Sequence, residues 1–141
     1  MSIKKVESVG VVLLDAAKVL LVKHGQAAGH INDTYGLPAG RIEVGETLTE
    51  ATLRELQEET GLIAQAEHLV KLPDTYYAEI ERKDGTTVGY NWTVFLCTKW
   101  SGSLESSEET SPEWHSLETI TALNVLPNVV EAINQAKAHN N

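Results

Sequence analysis

One stretch of this chain constrains its fold more than any other: residues 40–62, GRIEVGETLTEATLRELQEETGL. Thr47 followed three residues later by Glu50 is a capping box, in which each side chain satisfies a free backbone N–H of the other. Gly61 is the residue type that stops a helix, because it enters the left-handed region without a steric cost. A helix is therefore expected between them. On a wheel of about 100° per residue with Leu48 at zero, Thr52 falls at roughly 40°, Leu56 at roughly 80°, Leu53 at roughly 140° and Ala51 at roughly 300°. On the same count Glu59 falls at about 20°, inside the apolar stripe, with Glu55 at about 340° and Glu58 at about 280°. Glu50, Arg54 and Gln57 remain for the water-facing side. A charge run that was only a solvated face would lie opposite the stripe.

Carboxylates that face inward lose hydration and repel one another. These also lie near the helix C-terminus, where the helix dipole disfavours negative charge. Arg54, four residues before Glu58, can pair with it, but one guanidinium does not neutralise three carboxylates. A structural ion-pair cluster is the plain reading; a divalent cation removes more of the cost. An all-oxygen ligand set suits Mg²⁺ or Mn²⁺ rather than zinc.

The remainder reads as a mixed α/β domain. Val and Leu mark strands over residues 6–14 and 18–23, joined as a hairpin through residues 15–17. Residues 24–36 are Gly/Ala/Asn-rich without a period and read as a loop. A short strand is expected over 41–44 before a turn at Gly45, and further strands over 66–72 and 75–81. Asp84-Gly85 signals a hairpin into a long strand over 86–100. Val88, Tyr90, Trp92, Val94 and Leu96 share one face of that strand. Residues 101–111 form an acidic loop, and 113–117 a short apolar piece. A terminal helix over 127–139 carries Val130, Ile133 and Ala136/Lys137 at helical spacing. No repeat or linker divides the 141 residues, so one domain spanning 1–141 is expected.

Twenty acidic residues against eleven Lys and Arg give a net charge of −9, which argues against a polymeric nucleic-acid partner. A small phosphorylated ligand stays compatible, because a metal ion inverts the local field. Cys97 is the only cysteine, so no disulfide framework or thiolate zinc site is expected. Neither a signal-type apolar region nor a membrane-length apolar run appears, and the expected location is cytoplasmic.

The spacing Gly40, five residues, Glu46, seven residues, then Arg54-Glu55-Leu56-Gln57-Glu58-Glu59-Thr60-Gly61-Leu62 resembles the Nudix box, GX5EX7REUXEEXGU with U aliphatic. Every defined position matches. The entry Leu37-Pro38-Ala39-Gly40, the strands around the box, Trp114 and the last helix also resemble the family, so the likeness covers most of the chain. The resemblance implies an αβα sandwich on a mixed sheet, and Mg²⁺-dependent hydrolysis of a nucleoside diphosphate linked to another moiety. It implies Glu58 and Glu59 as the leading metal ligands, Glu55 next, and the backbone carbonyl of Ala39 as a further ligand. Arg54 would orient a box glutamate. Glu46 would support the loop and lie on the substrate side. Gly40 would let the loop backbone approach the ion.

For the general base the resemblance leaves two candidates, Glu55 and a glutamate of the acidic loop, of which Glu109 is preferred; an ordinary solvated loop is the competing reading. Tyr35 stands where the family often has a tryptophan and is a substrate-side candidate. Asn128 lies near where MutT-type members read an oxidised guanine, although a polar residue opening the last helix is the simpler account. Tyr76, Tyr77, Tyr90, Trp92 and Trp100 are packing residues first and base-stacking candidates second. His24 and His30 flank the substrate-side loop and read as polar loop residues before phosphate contacts. The expected reaction is conversion of a nucleoside triphosphate, damaged or not, to the monophosphate and pyrophosphate. The alternatives are ADP-ribose, another nucleotide sugar or a dinucleoside polyphosphate as substrate, or a sensor that binds nucleotide without cleaving it. The intact box disfavours the sensor. Members of the family are often dimers, which makes a homodimer the assembly to expect.

Overall fold

The computed structural model describes residues 3–25 and 33–140; His30 and most of the glycine-rich loop lie outside them. Strand β1 (Lys4–Asp15) turns through Ala16, at φ 54°, into β2 (Lys18–His24). Two short strands, β3 (Tyr35–Gly36) and β4 (Ala39–Arg41), precede helix α1 (Leu48–Thr60). Then come β5 (Leu69–Glu81), β6 (Thr87–Cys97), β7 (Thr110–Ser116) and helix α2 (Val129–Asn140).

The sheet is mixed. β1 runs parallel to β6 from the Lys4–Val88 pair to the Leu13–Cys97 pair, while β5 and β4 join antiparallel at the outer edges of this group. β2 carries β7 and β3 antiparallel on its two sides. Side chains alternate across the sheet, and the two cores follow that alternation. Val9, Val11, Leu13, Phe95 and Cys97 face α1 with Ala51 and Leu56. Val12, Trp92, Val94 and Leu96 face α2 with Val129, Ala132, Ile133 and Ala136. The expected αβα layering and the shared face of β6 are both present. Each fully buried Leu in these layers contributes about 1.5–3 kcal/mol of transfer free energy.

The α1 boundaries also agree with the sequence. Thr47 Oγ1 accepts from Glu50 N–H at 3.1 Å and Glu50 returns the bond to Thr47 N–H at 2.9 Å. Gly61 sits at φ 83° and donates its N–H to Gln57 O at 2.9 Å.

Four expectations need correction. The strand placed over 41–44 lies two residues earlier, at Ala39–Arg41, because pairing with β1 sets it (Gly10 with Ala39, Ser8 with Arg41). Val44 is instead fully exposed beside the Gly45 turn, at φ 87°. The two strands over 66–81 are one: a 3₁₀ turn (Ala66–His68) leads into β5, whose ladder is interrupted between Lys71 and Thr75. Pro73 lies in that gap and has no N–H to give. Part of the supposed loop over 24–36 is strand β3, which pairs with β2. Finally, the buried stripe of α2 is Val129, Ala132, Ile133 and Ala136 rather than one phased on Val130 and Lys137.

Candidate active site

α1 and β4 meet where Glu55 lies over Gly40. A Cβ on Gly40 would collide with the Glu55 carboxylate, so any side chain there would displace that carboxylate from its present place. Beside it, Ala39 N–H donates to Glu59 Oε1 at 2.6 Å. Burial pushes Glu59 up to about 8, only partly offset by the Ala39 hydrogen bond and reinforced by Glu55, Glu109 and Glu58 nearby. Burial likewise raises Glu55, against the opposing effect of Arg54.

Arg54 gathers the loop and the helix. Its Nε and Nη2 form a fork on Glu46, at 2.7 and 2.9 Å, and Nη2 also donates to Arg41 O at 2.9 Å. Nη1 donates to Glu55 Oε1 at 2.6 Å and to Glu58 at 3.2 Å. The wheel had assigned Arg54 to the water-facing side. Its side chain is in fact 22% exposed, because the loop from β4 folds back over that flank of α1. Glu46 accepts from Glu43 N–H at 2.8 Å as well as from Arg54, and both contacts hold its carboxyl below the usual range.

Across from α1, the loop before β7 brings Glu108 and Glu109 to the same wall. Glu55, Glu58, Glu59, Glu108, Glu109 and Ser107 together line one acidic recess. Glu109 O accepts Gly25 N–H at 2.8 Å, which ties this loop to the end of β2. Among the described residues no three of these groups converge closely enough to hold an ion as they stand, since Glu55 and Glu58 are turned toward Arg54. Their chemistry fits a hard divalent cation. The donors are all oxygen, they outnumber the single guanidinium, and burial raises the Glu59 carboxyl in a way that a nearby positive charge would offset.

Adjoining the recess is a cavity of about 270 Å³. Glu55, Glu59 and Glu109 stand at its acidic side, while Trp92, Ile80, Leu126 and Val129 supply apolar walls and Arg82 and Tyr90 also line it. Gly10 makes room for Trp92: a Cβ there would meet the indole at 3.0 Å. His24 lines the same cavity and is a buried strand-end residue rather than a loop residue, with Nδ1 3.1 Å from Thr34 O and its pKa lowered chiefly by burial.

The structure brings together Glu55, Glu58, Glu59, Glu109 and Arg54, and places Glu46 behind Arg54. At Ala39 the group seen gripping a carboxylate is the N–H rather than the carbonyl. Tyr35 and Asn128 are not among the residues that line the cavity. Tyr35 Oη donates to Glu113 at 3.4 Å, and its ring meets His115 edge-on at 5.0 Å. Asn128 adopts φ 70° and donates its side-chain amide to Tyr77 O at 3.2 Å, tying the start of α2 to β5. Of the aromatic candidates, Tyr90 and Trp92 line the cavity. Tyr76 packs on Trp92 and Trp100 on Trp114, while Tyr77 is partly exposed. Arg82 and Ser8 also line the cavity and were not singled out from sequence. Period-two alternation from Ile80 was the signal available for Arg82, whereas Ser8 reaches the cavity through the pairing of β1 with β6.

Comparison with known proteins agrees with this architecture. The chain is 35% identical over 105 residues to the human (Homo sapiens) 8-oxo-dGDP phosphatase NUDT18, covering 73% of this chain but only 28% of that protein. It is 30% identical over 115 residues to the 8-oxo-dGTP diphosphatase of Escherichia coli strain K12, covering 82% of each. It thus spans little more than a quarter of the human relative and most of the bacterial one. The structure of the MutT protein from Methanosarcina mazei Go1 superposes with a TM-score of 0.79 at 20% identity, over 99% of this chain and 98% of that one. That likeness concerns the fold. The NUDIX domain model matches residues 4–135, a span that holds the capped helix, the acidic recess and nearly all of the sheet, and the chain belongs to the NUDIX domain family.

Proposed function

We propose that this chain is a Mg²⁺-dependent pyrophosphohydrolase that converts a nucleoside triphosphate, in particular an oxidised guanine nucleotide, to the monophosphate and pyrophosphate. The observation that carries this reading is the recess of five glutamates opening beside a cavity with an aromatic wall. The relatives named for 8-oxo-dGTP and 8-oxo-dGDP support the oxidised guanine. At about 270 Å³ the cavity is at the small end of ligand pockets, which suits one nucleoside better than the two of a dinucleoside polyphosphate.

Glu58 and Glu59 would hold the ion, with Glu55 and the Ala39 carbonyl completing the set. When bound, Mg²⁺ supplies charge neutralisation for the diphosphate oxygens and acidifies an attacking water. Arg54 orients Glu55 and Glu58 through Nη1. Glu109 is the better candidate for general base, because the Glu55 carboxylate is already engaged by a 2.6 Å charge-assisted bond from Arg54. Trp92 and its neighbours exclude water from the nucleoside. A single domain over 1–141 carries all of these groups.

The test is product analysis with Mg²⁺ on nucleoside triphosphates including 8-oxo-dGTP, ADP-ribose, nucleotide sugars and dinucleoside polyphosphates, for the native chain and Glu58→Gln. Release of pyrophosphate from a triphosphate that Glu58→Gln abolishes is the expected result. Tight nucleotide binding with no turnover of any substrate would replace the enzyme by a sensor, and full activity in Glu58→Gln would refute the metal placement.

A further inference from the structure

Glu108 and Glu109 are both exposed on the loop before β7. Both line the acidic recess, and of the two only Glu109 also lines the adjoining cavity. An exposed loop is a poor mount for a group that must meet an attacking water in one geometry. Groups on loops are held less precisely than groups on helices and strands, and a misplacement of about 1 Å costs on the order of 100-fold in rate. Glu109 therefore needs a mount.

The loop is anchored at both ends. Glu105 N–H donates to Thr60 O at 2.8 Å, at the C-terminal end of α1. Thr110 opens β7, pairs with His24 of β2 and is buried. Between these anchors Ser107 closes a tight turn onto Thr110. Its N–H donates to Thr110 O at 2.9 Å. Its Oγ accepts Thr110 N–H at 3.0 Å and Glu109 N–H at 3.3 Å. A serine hydroxyl has two lone pairs and one hydrogen. Both lone pairs are taken, so the hydrogen is left to donate to Thr110 Oγ1, 3.1 Å away. The Glu109 carbonyl is held by another element: it accepts Gly25 N–H at 2.8 Å, and Gly25 O accepts Lys83 Nζ at 3.0 Å from the turn between β5 and β6. Both peptide units flanking the Glu109 Cα are thus fixed, which leaves only the side-chain torsions of the glutamate to vary.

We infer that Ser107 is a positioning residue for the hydrolysis: its hydroxyl fixes the turn that aims Glu109 at the attacking water. The inference rests on the reading of Glu109 as the general base and adds the side chain that holds it. Ser107 touches no substrate atom in this role. Removing the hydroxyl leaves the Glu109 and Thr110 N–H groups to water at an exposed turn. The turn loosens while the two apolar cores stay as they are, so the loss falls on the step that needs the base.

Steady-state hydrolysis is measured on the panel substrate that the native chain turns over fastest, for the native chain, Ser107→Ala, Ser107→Thr, Glu109→Gln and the variant carrying both Ser107→Ala and Glu109→Gln. Ser107→Ala is expected to lower kcat by about 10- to 100-fold with KM nearly kept. Ser107→Thr keeps the hydroxyl and restores most of the rate. Glu109→Gln loses about 100- to 10,000-fold. In the double variant the serine change adds less than about two-fold, because a residue that acts through Glu109 has nothing left to position. Amide exchange of the metal-free protein, followed by NMR, is expected to quicken at Gly25, Glu109 and Thr110 in Ser107→Ala, to stay unchanged in α1, and to slow again in Ser107→Thr. Losses that multiply in the double variant, a rise in KM at constant kcat, or native kcat in Ser107→Ala would each overturn the inference. So would full activity in Glu109→Gln, or exchange at Glu109 and Gly25 that Ser107→Ala does not alter. The proposed function fails in a different way. Turnover that Glu58→Gln abolishes and Ser107→Ala leaves intact removes only the role of Ser107, whereas no turnover of any substrate by the native chain removes the hydrolase reading and the base with it.

Discussion

The carboxylate of Glu55 occupies the volume that a side chain at Gly40 would fill. The two residues come from different elements, α1 and β4, and their contact sets how far the helix carboxylates project toward the cavity. Gly40→Ala must therefore push Glu55 away from Arg54 or lift β4 from β1. Turnover is expected to fall by about 100-fold or more, the usual consequence of displacing a catalytic group by roughly an ångström. The variant should still melt cooperatively. Wild-type kcat in Gly40→Ala would show that the position of Glu55 is immaterial.

Arg54 connects Glu46, Glu55, Glu58 and the Arg41 carbonyl. Lysine keeps the charge but not the fork. Arg54→Lys is expected to lower kcat more than it raises KM, since the orientation of the glutamates suffers before substrate contacts do. Stability should drop by about 1–3 kcal/mol, as carboxylates are left without their donors. A variant with unchanged kcat and an altered KM would instead put Arg54 in contact with substrate.

Glu59 supplies a pH signature. Its carboxyl is raised from about 4.5 toward about 8, mainly by burial. Between these values the folded protein holds a proton that the unfolded chain has released, so metal-free stability declines as pH rises through that window and levels off above it. Glu59→Gln mimics the protonated form and removes the slope. Melting curves of metal-free protein should show the variant pulling ahead of the native chain from about pH 5 to about pH 8.5, while its hydrolytic activity is lost. Parallel pH profiles for the two proteins would count against a desolvated Glu59.

Gly10 and Trp92 govern the apolar end. A Cβ on Gly10 comes within 3.0 Å of the indole, and a valine there forces the ring toward the cavity. Gly10→Val is expected to raise KM several-fold with kcat largely kept, and to cost about 1–3 kcal/mol of stability through overpacking. The reverse pattern, a fall in kcat at constant KM, would mean that Trp92 shapes the catalytic end instead.

Much was legible in the sequence by itself. The α1 capping box, the Gly61 stop, the alternation along β6 and the 23-residue spacing of the box all depend on neighbours a few residues apart, where helix and strand periods are fixed by backbone geometry. Those short-range rules located Glu55 and Glu59 on the inner side of the helix, whereas the Glu58 side chain is 55% exposed. Long-range pairing decided the rest. The register of β4 against β1 moved a strand by two residues and put Gly40 under Glu55. The fold-back of the 42–46 loop turned Arg54 from an exposed residue into a clamp. The pairing of β6 with β5 on one side and β1 on the other brought Arg82 and Ser8 into a cavity with Trp92, while Tyr35 and Asn128, close in sequence to residues of the site, were drawn onto Glu113 and the Tyr77 carbonyl. A helix wheel or a strand period specifies which side of an element a residue takes. Which other element it then meets depends on sheet register and loop closure between residues far apart in the chain, and here that information exists only in the folded structure.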